Sequence, residues 1–264
     1  MATYKRVKQG KISDVIAAQL EEMIVAGVLV PGEQLMAERD LALELKVSRP
    51  SLRSAIQQLE NKGLLEAHQG GGTFVLNFLG PSLTDPLAML LESSPNTAQD
   101  FLELRLTLDG ISAYYAAQRA TEVDRELLTL CFESIEEAHK DDDPTEESVL
   151  DADFHMAIAE ATHNVVLLHI SRSLFSLLRT GVSLNRMNLY VRPGSRGMLL
   201  QQHKAIYEAI MAGDPDEARD AAACHLKYVI ETMQELGHEE ARTEVSKQRM
   251  ERYRERRELA KKQK

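Results

Sequence analysis

Along most of this chain apolar side chains return every three to four positions, the spacing that lines one face of a helix, and only short stretches depart from it. The clearest stripe is Leu52, Ala55, Ile56 and Leu59, while Arg49 and Arg53, also four residues apart, leave on a different face. Ser48 stands where this helix begins, its hydroxyl placed to accept from a backbone N–H one turn in. Pro50 falls in the first turn, where a missing N–H costs nothing. The run stops near Gly63. Upstream, residues 37–45 read as a shorter amphipathic helix, and Lys46-Val47 between the two leaves room only for a tight turn between crossing helices. Downstream, residues 64–67 and 73–76 read as two strands around Gln69-Gly70-Gly71-Gly72, a wing.

A winged helix-turn-helix places its second helix in the major groove. There the N-terminal residues reach base edges, and arginine's planar fork can pair bidentately with guanine. Ser48, Arg49, Ser51 and Arg53 are the candidate DNA contacts, and the consecutive glycines let backbone amides approach a phosphate closely.

After residues 77–85, rich in turn formers, helical periodicity continues to about residue 238, with breaks near residues 93–97, 141–144, Asn164, Pro193-Gly194 and Gly213. At the last break Asp214 can cap the following helix, Pro215 opens it and Glu217 stands three residues after the cap. The fold expected is mainly α: a winged helix-turn-helix over residues 1–76, a linker and connecting segment over 77–97, an all-helical bundle over 98–238 and a basic tail over 239–264.

The hydrophobic fraction of 44% with only 5% aromatic residues and no Trp suits such a protein. A net charge of -10 is unusual for a DNA binder until it is divided. Residues 1–80 carry 9 basic and 9 acidic side chains, residues 81–240 carry 12 and 28, and residues 241–264 carry 10 and 4. The acidic middle is repelled by phosphates, so DNA is met through the N-terminal end. Lys5, Arg6, Lys8 and Lys11 either assist there or form a solvated arm. The basic tail either touches DNA or the acidic bundle, or is a frayed, solvated helix. Cys131 and Cys224 have no CxxC spacing, which predicts neither disulfide nor cysteine–zinc site. No apolar run reaches a membrane span or a signal-peptide core, so a cytoplasmic protein is expected.

Within the bundle Asp151 and His155, at i and i+4, leave one helix face a turn apart. Alone, that spacing describes a surface ion pair more often than a ligand pair. His203 and His225, each amid apolar residues on later helices, add to the second reading. Three imidazoles and a carboxylate suit zinc, nickel or manganese and leave coordination positions open.

The N-terminal pattern resembles the GntR family of bacterial transcription regulators, on Pro31-Gly32, Leu35, Glu38-Arg39, Val47-Ser48-Arg49, Leu52-Arg53, Leu59-Glu60, Gly63 and Gly72-Thr73-Phe74-Val75. That resemblance implies DNA contacts from Arg39, Arg49 and Arg53, supported by Ser48, Ser51, Gln69 and Gly70. Met36-Ala37 stands where the family usually has Pro-Ser, a departure at the start of the second helix. The later region resembles the FCD ligand-binding domain of the FadR-like branch, on Asp151 to His155, Ile158 to Ala161, Asn164, His203, Ile206, Ala209-Ile210 and His225-Leu226. This implies a divalent metal held by Asp151, His155, His203 and His225, with Arg105 facing a small carboxylate effector.

Within the family the resemblance is to repressors of the pyruvate dehydrogenase genes, which implies repression of pyruvate oxidation and respiration relieved by pyruvate. Lactate or glycolate is the alternative effector. Two-fold symmetry matched to two half-sites predicts a homodimer on a pseudo-palindromic operator. A metal-dependent enzyme is disfavoured because no HExxH, nucleophile motif or adjacent general base accompanies the ligand set.

Overall fold

Contacts in the computed structural model, which describes residues 11–68, 70–77, 79–93, 95–179 and 186–262, divide the chain into two units. One comprises Met1–Met89 with Asn164–Leu177, the other Leu90–His163 with Leu178–Lys264. The first begins with helices α1 (Ile12–Val25), α2 (Glu38–Glu44) and α3 (Arg49–Asn61), followed by strands β1 (Leu65–His68) and β2 (Gly72–Val75). All four residues of the expected stripe on α3 are buried, Leu52, Ala55 and Leu59 completely. They pack with Ile16, Leu20 and Ile24 of α1, Leu41 and Ala42 of α2, and Leu65 and Val75 of the strands. Each fully buried leucine contributes roughly 1.5 to 3 kcal/mol, so α3 is fixed by its inner face and its outer face is left free.

The capping signal at α3 forms: Ser51 N donates to Ser48 Oγ at 3.3 Å. The preceding turn is closed by Val47 N donating to Ala42 O at 3.0 Å, and Lys46 takes a left-handed φ of 54° to make it. At α2 the N-cap is Ala37, and no side chain caps that end. This is the local cost of the Met36-Ala37 departure, since alanine has no oxygen to accept from the first turn. β1 and β2 pair antiparallel from Leu65↔Val75 to His68↔Gly72. Gly72 has φ +99°, and a Cβ there would collide with the Gln34 side chain. Gln34 itself donates from Nε2 to Gly71 O at 2.9 Å, so a side-chain amide anchors the wing tip to the loop before α2.

Helix α4 (Gly80–Ser93) occupies most of the stretch whose turn formers suggested a linker. Pro81 falls in its first turn, where a proline is tolerated. Helix α8 (Val165–Arg179), which lies inside the 98–238 stretch, contributes Asn164–Leu177 to the first unit. His169 Nε2 lies 2.9 Å from Val25 O at the end of α1, and Leu168 and Arg172 close over Gly27.

The second unit is built from α5 (Pro95–Arg119), α6 (Glu122–Lys140), α7 (Pro144–Glu160), α9 (Arg186–Val191), α10 (Ser195–Ala212) and α11 (Pro215–Lys262). The breaks expected near residues 93–97, 141–144, 164, 193–194 and 213 all fall between helices. A further break at Thr121 has a reciprocal capping box with Asp124 that the periodicity did not disclose. At α11, Glu217 N donates to Asp214 Oδ1 at 3.1 Å, and Gly213 ends α10 with φ 71°. The core joins Ala113, Ala116 and Ala117 of α5 to Phe132, Phe154, Ile206, Ile210 and Ala222, with Phe132 stacked on Tyr207 at 4.8 Å. Small residues on α5 let α11 lie close; a Cβ on Gly110 would already touch Arg219.

Helix α11 is 48 residues long. Among its described residues the last buried one is Thr232, and every one from Gly237 to Arg254 is exposed. Cys131 and Cys224 are free. Among the described residues no helix is long and apolar enough to cross a membrane.

Candidate functional site

The first unit presents the candidate nucleic-acid face. Arg39, Ser48, Arg49, Arg53 and Gly70 are exposed and Ser51 is half-buried at the start of α3, while Gln69 lies outside the described residues. Arg49 and Arg53 share a partner that the spacing argument did not single out. Glu38 Oε2 accepts from Arg53 Nε at 2.7 Å and lies 3.6 Å from Arg49 NH2. Glu38 opens α2, so the turn between the two helices brings one carboxylate beneath both guanidiniums. The pairs are exposed, which makes them weak in energy and easy to exchange for phosphate or base contacts. Gly70, with φ +77°, sits at the wing tip, where only a residue without Cβ turns freely.

The second unit buries a different chemistry. Asp151 and His155 come from α7, His203 from α10 and His225 from α11, and one donor atom from each lies within 4.8 Å of all the others. All four are at least 95% buried. Asp151 Oδ1 is 3.0 Å from His203 Nε2 and 3.7 Å from His155 Nε2, and the His203 and His225 ring centres are 4.6 Å apart. His203 Nε2 makes no well-formed hydrogen bond despite that closeness. A buried imidazole nitrogen aimed at a carboxylate without bonding it fits a metal ion shared between them. Burial holds His155 down to about 4, against the opposing pull of Asp151 and Asp109, and drives His225 well below its ordinary range, so both offer the neutral lone pair that a metal needs.

Groups outside the four orient them. His225 Nδ1 donates to Gln202 Oε1 at 3.1 Å, which turns Nε2 inward. Asp109 Oδ2 stands 3.7 Å from His155 Nδ1 and accepts from Arg105 NH2 at 2.6 Å, with both side chains buried. Arg105 is therefore close enough for its charge to depress both His155 and His225. Further along the same helices, Glu147 on α7 accepts from Arg196 Nε of α10 at 2.6 Å and pairs with His139 Nδ1 at 2.6 Å. That bridge ties together two ligand-bearing helices. Gln202, Asp109 and Glu147 gave no signal in the sequence, because an isolated amide or carboxylate on a helix carries no periodic mark. His163 stands apart from the cluster, exposed and paired with Asp124 at 2.8 Å.

Comparison with known proteins agrees with both halves. The pattern of bacterial regulatory proteins of the gntR family matches residues 12–75, and that of the FCD domain matches residues 100–228. A protein named for regulation of the L-lactate dehydrogenase operon in Escherichia coli (strain K12) is 39% identical over 236 residues, covering 88% of this chain and 90% of that protein. The chain belongs to the GntR family. The Glc operon transcriptional activator of the same strain is 34% identical over 240 residues, 89% of this regulator and 94% of the relative. Among solved structures a Streptococcus agalactiae GntR protein superimposes with a TM-score of 0.51 at 26% identity, covering 83% of this chain and all of that one. The regulator is thus a transcription factor with a GntR winged helix and an FCD domain, and not an enzyme. These relatives are regulators of lactate and glc operons, so membership of the family leaves the effector to the site's own chemistry.

Proposed function

We propose that this regulator represses genes of pyruvate oxidation, including those of the pyruvate dehydrogenase complex, and leaves its operator when pyruvate binds in the FCD domain. The observation that carries the effector class is the buried Asp151, His155, His203 and His225 cluster beside the Arg105–Asp109 pair. Counting the imidazoles as neutral, as metal ligands must be, Asp151 and Asp109 are offset by Arg105 to leave one net negative charge. A divalent zinc, nickel or manganese ion held by the four residues reverses it to one positive, and a single monocarboxylate brings the buried site to neutrality. The metal supplies Lewis acidity and open coordination positions to an acid bearing a 2-oxo or 2-hydroxy oxygen. Arg105 then donates a charge-assisted hydrogen bond to the carboxylate, with Asp109 fixing its direction.

At the other end Arg39, Arg49 and Arg53 contact DNA with Ser48, Ser51, Gln69 and Gly70 in support. A homodimer sets two such faces on a pseudo-palindromic operator. The effector acts by binding one dimer arrangement more tightly than the other, since equal affinity shifts nothing. L-lactate is the second reading, favoured by the name of the 39% identical relative; glycolate is a third small acid of the same chemistry.

The test is fluorescence anisotropy of the metal-loaded protein on the fragment upstream of the pyruvate dehydrogenase genes, titrated with pyruvate, L-lactate and glycolate at fixed salt. Release by pyruvate alone is expected. Release by lactate or glycolate moves the assignment to that acid, and tight binding indifferent to all three overturns the effector reading.

A further inference from the structure

Beyond Leu236, α11 continues as a helix to Lys262; Glu240 still accepts from Asn188 Nδ2 of α9 at 2.9 Å, and every described side chain from Gly237 to Arg254 is exposed. The 26 residues after Leu236 extend roughly 39 Å at 1.5 Å per residue, about the length of one turn of duplex DNA. Isolated helices are marginal in water, and in most proteins a packed apolar face stabilises them. Here the stretch has Val245, Met250, Tyr253 and Leu259 as large apolar side chains, spaced five, three and six residues apart, too irregular for a heptad seam. What it has instead is charge: 10 basic and 4 acidic residues over 241–264, attached to a region of 12 basic and 28 acidic. Among the described residues, Arg242, Lys247, Arg249, Arg252 and Arg254 make no ion pair with the acidic bundle that carries them. Among the described residues of this stretch, the side-chain hydrogen bond from Gln248 Nε2 to Glu244 Oε1 at 3.2 Å uses neither an arginine nor a lysine.

We propose that the distal part of α11, residues 241–262, is a second DNA-binding surface that reads phosphates and not bases. The exposed side chains of Arg242, Lys247, Arg249, Arg252, Arg254 and Arg256 can replace condensed counterions, and their spacing along one rod matches a polyanion better than any compact acidic patch. This surface lies on the helix that also carries His225, so the effector-binding unit itself contributes to DNA affinity. The proposal rests on DNA binding by the family and is independent of which acid is the effector.

It is tested with the full-length metal-loaded protein, a chain ending at Glu240, and a full-length R249Q/R252Q/R254Q/R256Q variant. Each is titrated onto an operator fragment and onto a duplex of arbitrary sequence between about 50 and 200 mM salt. With each phosphate contact contributing about 0.9 to the slope of log K against log salt, the quadruple variant should flatten that slope by about 3 to 4 per bound protomer, about 7 for a homodimer, on both duplexes. The ratio of operator to arbitrary affinity should stay within about twofold, because base readout remains with α3. An unchanged slope in the quadruple variant overturns the proposal. So does a slope that changes only in the truncated chain alongside a loss of dimer in sedimentation, which would make the segment an association helix.

Discussion

The winged helix displays its charge and the helical bundle buries its own. On α3 two arginines stand in solvent and share one half-buried glutamate; between α7, α10 and α11 three imidazoles and an aspartate lie almost wholly out of water. Ionisable side chains thus serve opposite ends. Exposed charges cost little to hold and can change partners, which a surface that must release DNA requires. Buried charges are expensive unless something binds them, and that expense makes the bundle's stability depend on its ligand.

If the contrast holds, substitutions in the bundle should disturb metal binding and folding together, while those on the winged helix should disturb DNA binding alone. The largest effect is expected from His203→Ala, which removes a central donor. Metal affinity, read by competition against a chelator, should fall by at least about 100-fold, more than loss of an outer-shell partner usually causes. Retention of wild-type affinity would remove the cluster from metal binding.

Next comes pH dependence in metal-stripped protein. His155 is held at about 4 in the fold against an ordinary 6.5, chiefly by burial. The unfolded chain therefore takes up the proton first as pH falls. Stability is whole above about pH 6.5 and declines toward pH 4, by about 3 kcal/mol from this residue alone. His225, also lowered, adds in the same direction. Urea midpoints at pH 7, 5.5 and 4.5 measure this, and a flat profile would mean that the folded bundle tolerates imidazolium.

On the winged helix, Arg49→Ala or Arg53→Ala should cost about 1 to 3 kcal/mol on the operator and less on arbitrary DNA. Thermal stability should change by less than about 0.5 kcal/mol. Equal loss on both duplexes would make these residues phosphate contacts. Smallest of all, Glu38→Gln should alter stability by under about 1 kcal/mol, as an exposed pair does; a larger loss by thermal melt would show that the carboxylate holds the turn together.

Much of this was legible in the sequence for physical reasons. Ser48, Pro50 and the stripe from Leu52 to Leu59 specify α3 through local chemistry, and Asp214 to Glu217 specify the start of α11 in the same way. The i, i+4 spacing of Asp151 and His155 and the apolar surroundings of His203 and His225 made them candidates, and the resemblance to the FCD domain joined the four into one set. Periodicity reports that a helix has an apolar face, but not which core receives it, and so α8 gave no hint of packing beside α1. Turn-forming residues likewise disguised α4, where Pro81 sits in a first turn. Gln34 against Gly72 and Asp109 against His155 are long-range pairings with no local signature. The wing's third glycine in particular is required by a neighbouring amide as much as by any phosphate.

The placement of α8 beside Val25 and Gly27 has a consequence in time. The first unit is not continuous along the chain, and its final helix emerges from the ribosome only after residues 90–163 have been made. A nascent winged helix therefore has its own core early, while the surface at the end of α1 stays bare until much of the effector domain has been translated.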